Sequence, residues 1–288
     1  MKGILAILFI VFYSCKSKPV EQVEKVNVLF IGNSLTYYHD MPKMVEEMLN
    51  EKVLNYNVEQ AAFPGMTLNS HLNNIIYKRE GDNIFTIRKS EFEITETEKI
   101  ISSRSWDLII IQEAPDMLFS KELVNELVQS DIEEIKALNR NKNCKYIFFN
   151  TWIPKVQHYP IKSICLSKSD FDYVKFPVNN LNSDEKFCSE EILDKKEHLR
   201  ILSESLNQIN LKQKMTISNH PNIHFNICNN YPEIQLYDDE YHPSKIGSFL
   251  NACVFYKMIT NKNPTRLHSN AGLDEKTASL LKRIANSN

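Results

Sequence analysis

The amino-acid sequence predicts a three-layer α/β/α domain, in which helices cover both faces of a central parallel sheet of about five strands. Short apolar segments alternate along the chain with segments of helical periodicity, the order typical of a parallel sheet. The apolar segments lack polar alternation, as expected of strands that are buried on both faces. The chain has 288 residues, of which 42% are hydrophobic, and this is enough to bury one substantial core.

The strands are predicted where short apolar runs end at polar or turn-forming residues. The first run, VNVLFI, ends at Gly32, and the later runs DLIIIQ and KYIFFN have the same character. The five predicted strands are residues 26–31, a segment within 55–62, and residues 107–112, 145–150 and 222–228.

Two helices are predicted with particular clarity between these strands. The first has apolar residues at helical spacing, and Asp40 is placed to cap its start. Its apolar residues are Met44, Val45, Met48 and Leu49. The second is a long amphipathic helix over residues 121–139, between the third and fourth strands.

The N-terminus has the features of an export signal. Lys2 is followed by the apolar run 4–13 and then by Cys15, an arrangement that resembles a bacterial lipoprotein signal. The run has about half of the roughly 20 residues that a membrane-spanning helix needs. We predict a signal peptide over residues 1–14, a tether over 15–25 with Cys15 lipidated, and a domain over 26–288.

These N-terminal features predict a protein of the cell envelope, anchored by a lipid to a membrane on its extracytoplasmic side. Two alternatives remain at this stage: secretion after a cut near Cys15, or an anchor that is not cleaved.

Charge and cysteine content bear on partners and sites. The 34 basic and 36 acidic residues give a formal net charge of -2 without a basic tract, so nucleic acid is not an expected partner. The cysteines other than Cys15 are odd in number and show no CxxC metal pattern. Cys165 and Cys188 flank a polar stretch and are candidates for a disulfide bond in an oxidising compartment. The cysteines expected in the core are Cys144, Cys228 and Cys253.

A candidate nucleophile follows the first strand, in the segment Gly32-Asn33-Ser34. In open α/β sheets, ligands bind beyond the carboxyl ends of the strands, which is where this serine stands. The glycine permits a tight turn, and the N–H group of Ser34 can point toward an oxyanion. An ordinary turn is the alternative, since turns of this composition are frequent.

A candidate base lies near the C-terminus, in the segment DDEYHPS. A serine hydroxyl needs a base, and the base needs a partner that fixes its tautomer. Asp239 and His242 are three residues apart, so one turn can bring the carboxylate to one ring nitrogen while the other faces the serine. Pro243 restricts His242 to extended backbone, and Ser244 is placed to cap the next helix. Asp238 is the alternative orienting residue, and a solvated acidic loop is the non-catalytic alternative.

These two segments resemble the first and last sequence blocks of the SGNH (GDSL-like) hydrolases, here as FIGNSLT and DEYHPSKIGSFLNACVFY. The resemblance spans about residues 26–260 and implies a flavodoxin-like SGNH hydrolase fold. It implies a serine esterase that hydrolyses a carboxylic ester by acyl transfer, with Ser34 as nucleophile, His242 as base and Asp239 as orienting residue. No metal or organic cofactor is implied.

The resemblance also implies three donors for the oxyanion hole. The Ser34 N–H is the first. The segment AAFPGMTL matches the second block, so Gly65 supplies the second N–H. Gln112 stands where the family has an asparagine and carries the same amide donor, so it is the expected third. Asn150, at the end of the fourth strand, is the alternative.

Several further residues bear on the cleft. Trp152 and Tyr159 are expected either as an aromatic wall or as packing beneath an insertion at about residues 155–186. That insertion is expected as a lid, as part of the cleft or as a surface elaboration. No metal site is expected, because no spacing to a second ligand, as in HExxH, is found at His71, His158, His220 or His224.

The substrate implied by the resemblance is a small-molecule or glycan ester. A lipid-anchored envelope protein with aromatic residues near the site favours a carbohydrate O-deacetylase. The alternatives are a lipid esterase of the lysophospholipase or thioesterase type, and a surface binding lipoprotein that retains the fold without turnover.

Overall fold

The computed structural model describes residues 24–52, 55–81, 83–155, 158–167 and 186–287. The predicted signal peptide, the predicted lipidation site Cys15, almost all of the predicted tether and much of the predicted insertion lie outside these residues. None of the helices in the described ranges combines the length and the hydrophobicity required to cross a membrane.

The central sheet has five parallel strands, as the sequence predicts. They are β1 (Val26–Gly32), β2 (Tyr56–Ala62), β5 (Leu108–Ile111), β6 (Lys145–Phe148) and β9 (Thr216–Ile217). Their order across the sheet is β2-β1-β5-β6-β9. Because all the strands run in one direction, their carboxyl ends share one edge of the sheet, and the segments after β1, β2, β5 and β6 meet there.

The helices lie on both faces of this sheet. They are α1 (Ser34–Tyr37), α2 (Met41–Asn50), α3 (Leu68–Asn73), α4 (Glu96–Ser103), α5 (Lys121–Leu123), α6 (Gln129–Leu138), α7 (Lys195–Gln213), α8 (His220–Asn230), α9 (Lys245–Thr260) and α10 (Glu275–Ser287). A π-helical turn, Val124–Val128, joins α5 to α6, so the long helix predicted at 121–139 is one element with a local widening. The described part of the chain also has three short 3₁₀ turns, which are Tyr38–Asp40, Pro115–Leu118 and Pro264–Arg266.

Alternate residues of the strands face the two helical layers. On β1, Leu29 and Ile31 belong to the hydrophobic cluster that includes residues of α3, α4, α5, α6 and α7, whereas Val28 and Phe30 belong to the cluster that includes residues of α2, α8, α9 and α10. All four side chains are fully buried. Burial of such a side chain stabilises the fold by about 1.5–3 kcal/mol, which is why both faces of the strand must be apolar.

The fifth strand was predicted in the wrong place. Residues 222–228 belong to α8, and the strand is the shorter segment Thr216–Ile217. The buried residues of α8 recur every three or four positions, at His220, Ile223, His224 and Ile227. Pro221 fits the first turn of a helix, where its missing N–H is not needed.

Among the described residues, two antiparallel strand pairs form small sheets that are separate from the central sheet. Strands β3 (Asn74–Glu80) and β4 (Asn83–Arg88) form a hairpin that the sequence did not predict. Strand β7 (Cys165–Ser167) lies in the predicted insertion at about 155–186 and pairs with β8 (Lys186–Cys188), which begins at the end of that insertion. A disulfide bond joins Cys165 to Cys188, as proposed from the sequence.

The remaining cysteines of the described chain are free thiols. Cys253 is buried, as expected, and Cys144 is half-buried. Cys228 is exposed, so its predicted place in the core is wrong; it lies on α8, where the buried face is formed by other positions.

Of the two predicted helix caps, the one at α9 forms and the one at α2 does not. Ser244 caps α9 as expected, because its backbone is extended and its Oγ accepts the Gly247 N–H at 3.2 Å. Asp40 precedes α2, but it makes no side-chain capping bond, so that prediction is wrong. Its φ of 55° is in the left-handed region. A capping side chain normally comes from extended backbone, which turns its oxygen toward the free N–H groups.

Candidate active site

Ser34 stands at the carboxyl edge of the sheet, immediately after β1 and at the first position of α1. Asn33 begins this helix, and its Oδ1 accepts the Leu35 N–H at 3.1 Å. Its Nδ2 donates to the Met66 carbonyl at 3.2 Å. The Asn33 side chain therefore links the serine turn to the loop after β2, a connection that the sequence did not reveal.

A chain of hydrogen bonds joins the three predicted residues. The Nε2 atom of His242 lies 2.9 Å from the Oγ of Ser34, and its Nδ1 lies 2.6 Å from the Oδ2 of Asp239. An ionised carboxylate only accepts hydrogen bonds, so Nδ1 carries the proton and Nε2 is free to accept one from the serine. This is the arrangement in which a histidine can act as a general base toward serine.

The Asp239 carboxylate is held in its charged form. Its Oδ1 accepts the backbone N–H groups of Tyr241 and His242, each at 2.7 Å. Slight burial opposes ionisation, but the hydrogen bonds from the backbone and ring of His242 outweigh it and lower the pKa of Asp239 to about 2. The carboxylate is therefore ionised over the whole physiological pH range.

Asp238, the alternative orienting residue, has a different partner. Its Oδ2 accepts the Nε2–H of His39 at 2.6 Å, and its backbone N–H donates to the His242 carbonyl at 3.1 Å. This pair links the turn after α1 to the histidine loop. The structure therefore assigns contact with His242 Nδ1 to Asp239 and not to Asp238.

The turn after α1 also covers the candidate base. The Tyr38 ring stacks on the His242 imidazole, with centroids 4.1 Å apart and planes within 6°. The next residues, His39 and Asp40, both have left-handed φ angles, at 52° and 55°. Such backbone costs free energy in residues other than glycine, and it is often found at functional sites. No local pattern in the sequence indicates this stack.

Ser34 and Gly65 line one cavity of about 440 Å³, which we call the serine cavity. Gly65 has a φ of +64°, and a Cβ there would meet no atom within 4 Å, so glycine is favoured by backbone conformation and not by space. Within the described chain, neither the Ser34 nor the Gly65 backbone N–H donates to another protein group. Both are available to a bound oxyanion.

The prediction that Gln112 supplies the third donor is wrong. Gln112 is fully buried and does not line the serine cavity. Its Oε1 accepts the Asn33 N–H at 2.8 Å and the Thr36 hydroxyl at 3.0 Å, while its Nε2 donates to the Glu113 carbonyl at 2.6 Å. The amide cannot be reversed, because its nitrogen would then face the Asn33 N–H donor. Gln112 holds the serine turn in place.

This contact accounts for the glycine before the turn. A Cβ on Gly32 would lie 2.5 Å from both the Gln112 Oε1 and the Thr36 Oγ1. The carbonyl of Gly32 also lies 2.9 Å from the Nε2 of His71, a fully buried histidine whose pKa burial lowers to about 4. His71 is therefore neutral and has a structural role.

The other cleft candidates lie in different places. Trp152 lines the serine cavity, and its Nε1–H donates to the Tyr241 carbonyl at 2.9 Å. Its indole also stacks on His224, so Trp152 serves both as cavity wall and as packing.

Asn150 lines a second cavity and not the serine cavity, so it does not supply the missing oxyanion donor. The Tyr159 hydroxyl lies 2.8 Å from Nδ1 of His198, a residue of the serine cavity.

Glu113 and Asp131 form a buried acidic pair near the loop after β2 that contains Gly65. Glu113 accepts the backbone N–H groups of Leu68, three residues after Gly65, and of Ala114, a residue of the serine cavity wall. Burial and then the charge of Asp131 raise the pKa of Glu113 to about 8. Burial also raises the pKa of Asp131, to about 8. The hydrogen bond that Asp131 accepts from Asn69 opposes part of this rise.

Glu113→Gln is expected to flatten the dependence of stability on pH. The folded protein keeps a proton on Glu113 that the unfolded chain releases, so this stabilisation is complete below the ordinary carboxyl pKa and is lost as the pH rises toward about 8. One such proton changes the free energy of unfolding by at most about 1.4 kcal/mol per pH unit. Urea unfolding of wild type and Glu113→Gln at several pH values measures this slope.

Asp131→Asn is a second test of this prediction and should also flatten the dependence of stability on pH, because the second carboxyl of the pair contributes a slope of the same sign. Equal slopes in wild type and in both variants would show that neither carboxyl is protonated in the folded protein.

The described residues contain no cluster of three or more His, Cys, Asp or Glu side chains arranged to hold a metal ion.

Comparison with known proteins places this geometry on a recognised fold. No protein-family model matches the chain, and no curated protein matches it. A DUF4886 family protein from Bacteroides uniformis has a TM-score of 0.65 at 15% identity, over 92% of this chain and 94% of that chain. A candidate SGNH hydrolase from Slackia heliotrinireducens has a TM-score of 0.52 at 18% identity, over 82% of this chain and 100% of that one.

A third similar structure is a candidate GDSL-like lipase from Parabacteroides merdae, with a TM-score of 0.51 at 10% identity, over 82% of this chain and 95% of that chain. The chain therefore has the three-layer fold of the SGNH (GDSL-like) hydrolases, as the sequence predicted. At these identities the likeness establishes the fold alone, and the chemistry must be argued from the residues.

Proposed function

We propose that the protein is a serine esterase of the SGNH superfamily, which hydrolyses a carboxylic ester through Ser34, His242 and Asp239. One observation carries the proposal. The hydroxyl of Ser34, the ring of His242 and the carboxylate of Asp239 form a continuous hydrogen-bonded chain at the wall of the serine cavity. A binding protein without turnover has no need for a histidine poised between a serine and an ionised carboxylate.

The reaction follows from these positions. The Ser34 Oγ attacks the carbonyl carbon of the ester while its proton passes to the Nε2 of His242. The alcohol leaves with that proton, and the acyl group remains on Ser34. Water then attacks the acyl carbon, giving its proton to His242, and the carboxylic acid is released as the serine recovers its proton. Asp239 stays ionised and stabilises the positive ring of His242 at each stage.

The developing oxyanion would be held by the backbone N–H groups of Ser34 and Gly65. Asn33 supports both, because its side chain joins the two loops that carry them. Neither Gln112 nor Asn150 reaches this position. One oxyanion donor is worth about 10²–10³ in rate, so we expect turnover to be slower by about that factor than in a site with three donors.

The serine cavity is compatible with a short acyl group. Its volume of about 440 Å³ is within the range of small-molecule sites, and the bulky side chains of Phe119, Trp152 and Tyr241 form part of its wall. We propose an O-deacetylase acting on a carbohydrate ester. Preference for long acyl chains would instead favour a lipid esterase.

A fluorophosphonate probe tests the proposal directly. Incubation of the full chain in detergent should give one stable adduct, mapped by peptide mass spectrometry to the segment that contains Ser34. Hydrolysis of 4-nitrophenyl esters from acetate to decanoate then gives the preferred acyl length. The absence of both an adduct and of hydrolysis above the uncatalysed rate would favour a binding protein.

A further inference from the structure

We propose that a second cavity beside the serine cavity binds the sugar chain of an acylated oligosaccharide, so that the alcohol portion of the substrate is a neutral saccharide of two or more units. This inference rests on the proposed esterase function of Ser34. We call the second site the amide cavity, after the asparagines that line it.

The amide cavity has a volume of about 290 Å³ and lies beyond the carboxyl ends of β6 and β9, at the same edge of the sheet as Ser34. Its polar residues are Asn150, Ser203, Asn207, Ser218, Asn219 and Asn222. The other residues of its wall are apolar, and none of the described residues that line it carries a charge.

This composition selects for one kind of ligand. Amides and hydroxyls donate and accept hydrogen bonds without charge, and they match the hydroxyl groups of a sugar. A charged ligand would need an opposite charge in the wall. A fatty acyl chain would displace water from the exposed amides of Asn207, Asn219 and Asn222 without replacing its hydrogen bonds. A neutral polyol satisfies both conditions.

Asn150 supplies a second and independent observation. It is 8% exposed, and its Oδ1 is buried with no hydrogen-bond partner. The backbone of this residue is fixed, because its N–H donates to the Oγ of Ser218 at 2.9 Å. A buried acceptor without a partner costs free energy, so such atoms are rare in folded proteins unless a ligand or water completes them. A ligand hydroxyl that donates to Oδ1 would supply the missing partner.

The two cavities are neighbours along α7. His198 and Leu202 line the serine cavity, whereas Leu202 and Asn207 line the amide cavity, so Leu202 is common to both walls. With a rise of 1.5 Å per residue, His198 and Asn207 are separated by about 13 Å along the helix. The adjacency of the two cavities suits a saccharide chain whose acyl group reaches Ser34 while a neighbouring unit occupies the amide cavity.

The test compares two kinds of acetate ester with the full chain. For each enzyme variant, kcat/KM is measured for 4-nitrophenyl acetate and for mono-acetylated methyl glycosides of glucose, mannose, galactose and xylose, each as the monosaccharide and as the disaccharide. Wild type should prefer at least one disaccharide acetate over the corresponding monosaccharide acetate. Asn150→Ala should lower the ratio of disaccharide acetate to 4-nitrophenyl acetate about tenfold, because one buried hydrogen bond is lost.

Asn207→Ala provides a second variant, because this residue is exposed on α7 and its substitution leaves the core intact. It should lower the same ratio. Asn210→Ala is the matched control on the same helix, outside both cavities, and should leave the ratio unchanged. An unchanged ratio in both Asn150→Ala and Asn207→Ala would overturn the inference, whatever the activity of the wild type on 4-nitrophenyl acetate.

A separate outcome concerns the proposed function itself. If no ester of either kind is hydrolysed, the esterase proposal fails, and the amide cavity is then tested by calorimetric titration with the four unacetylated methyl disaccharides. Binding that Asn150→Ala weakens would support the cavity as a saccharide site. Absence of binding by the wild type would overturn it.

Discussion

Ser34→Ala is expected to lower kcat for 4-nitrophenyl acetate by about 10⁴-fold or more, with little change in the free energy of unfolding. The side-chain hydroxyl is the proposed nucleophile, and loss of the nucleophile in a serine–histidine site removes the covalent route entirely. Its side chain makes one hydrogen bond within the described chain, to His242, so the fold loses little. Steady-state kinetics and urea unfolding measure the two quantities separately.

Ser103→Ala is the control for this experiment, because Ser103 is an exposed residue at the end of α4, remote from the serine cavity. It should behave as wild type in both measurements. Wild-type turnover by Ser34→Ala would mean that a different residue is the nucleophile.

Asp239→Asn is expected to lower kcat by about 10⁴-fold, whereas Asp238→Asn should lower it by less than about tenfold. The two residues are adjacent and carry the same group, but they contact different histidines. An amide at position 239 can present its NH2 group to Nδ1, which favours the wrong tautomer of His242 and blocks its acceptance of the serine proton. Comparison of the two variants isolates the contact with Nδ1.

Comparison of the same two variants also distinguishes a specific contact with His242 from a general effect of the loop charge. Both variants remove one negative charge from the loop before His242, so a general electrostatic effect would reduce their rates equally. A greater loss in Asp238→Asn than in Asp239→Asn would show that the orienting role belongs to the His39 side of the loop.

The fold was largely predictable because its central strands are buried on both faces. The runs that form β1, β5 and β6 are short and continuously apolar, a pattern typical of strands in a covered parallel sheet. The β3–β4 hairpin was missed because it exposes the large hydrophobic residues Tyr77, Phe85 and Ile87 beside charged neighbours. The alternation of apolar and polar residues therefore does not distinguish its buried face from its exposed face.

The position of the candidate triad was predictable only in part for a local reason. Asp239 and His242 lie within one turn of each other, so their contact follows from local spacing. The approach of His242 to Ser34, 208 residues away in sequence, was implied only by the resemblance of the two segments to SGNH sequence blocks. The third oxyanion donor was not predictable in this way. The orientation of the Gln112 amide is decided by Asn33 and Thr36, which are 79 and 76 residues away in sequence. Only the folded chain shows which way that amide faces.

The bond between Cys165 and Cys188 sets a condition on how the protein is produced. A bacterial expression host that retains the chain in its cytosol keeps thiols reduced, so β7 and β8 would be joined only by their backbone hydrogen bonds. Ile164, which adjoins β7, belongs to the wall of the serine cavity. Material secreted into the periplasm or culture medium, with the bond formed, is therefore the appropriate source for kinetic comparison.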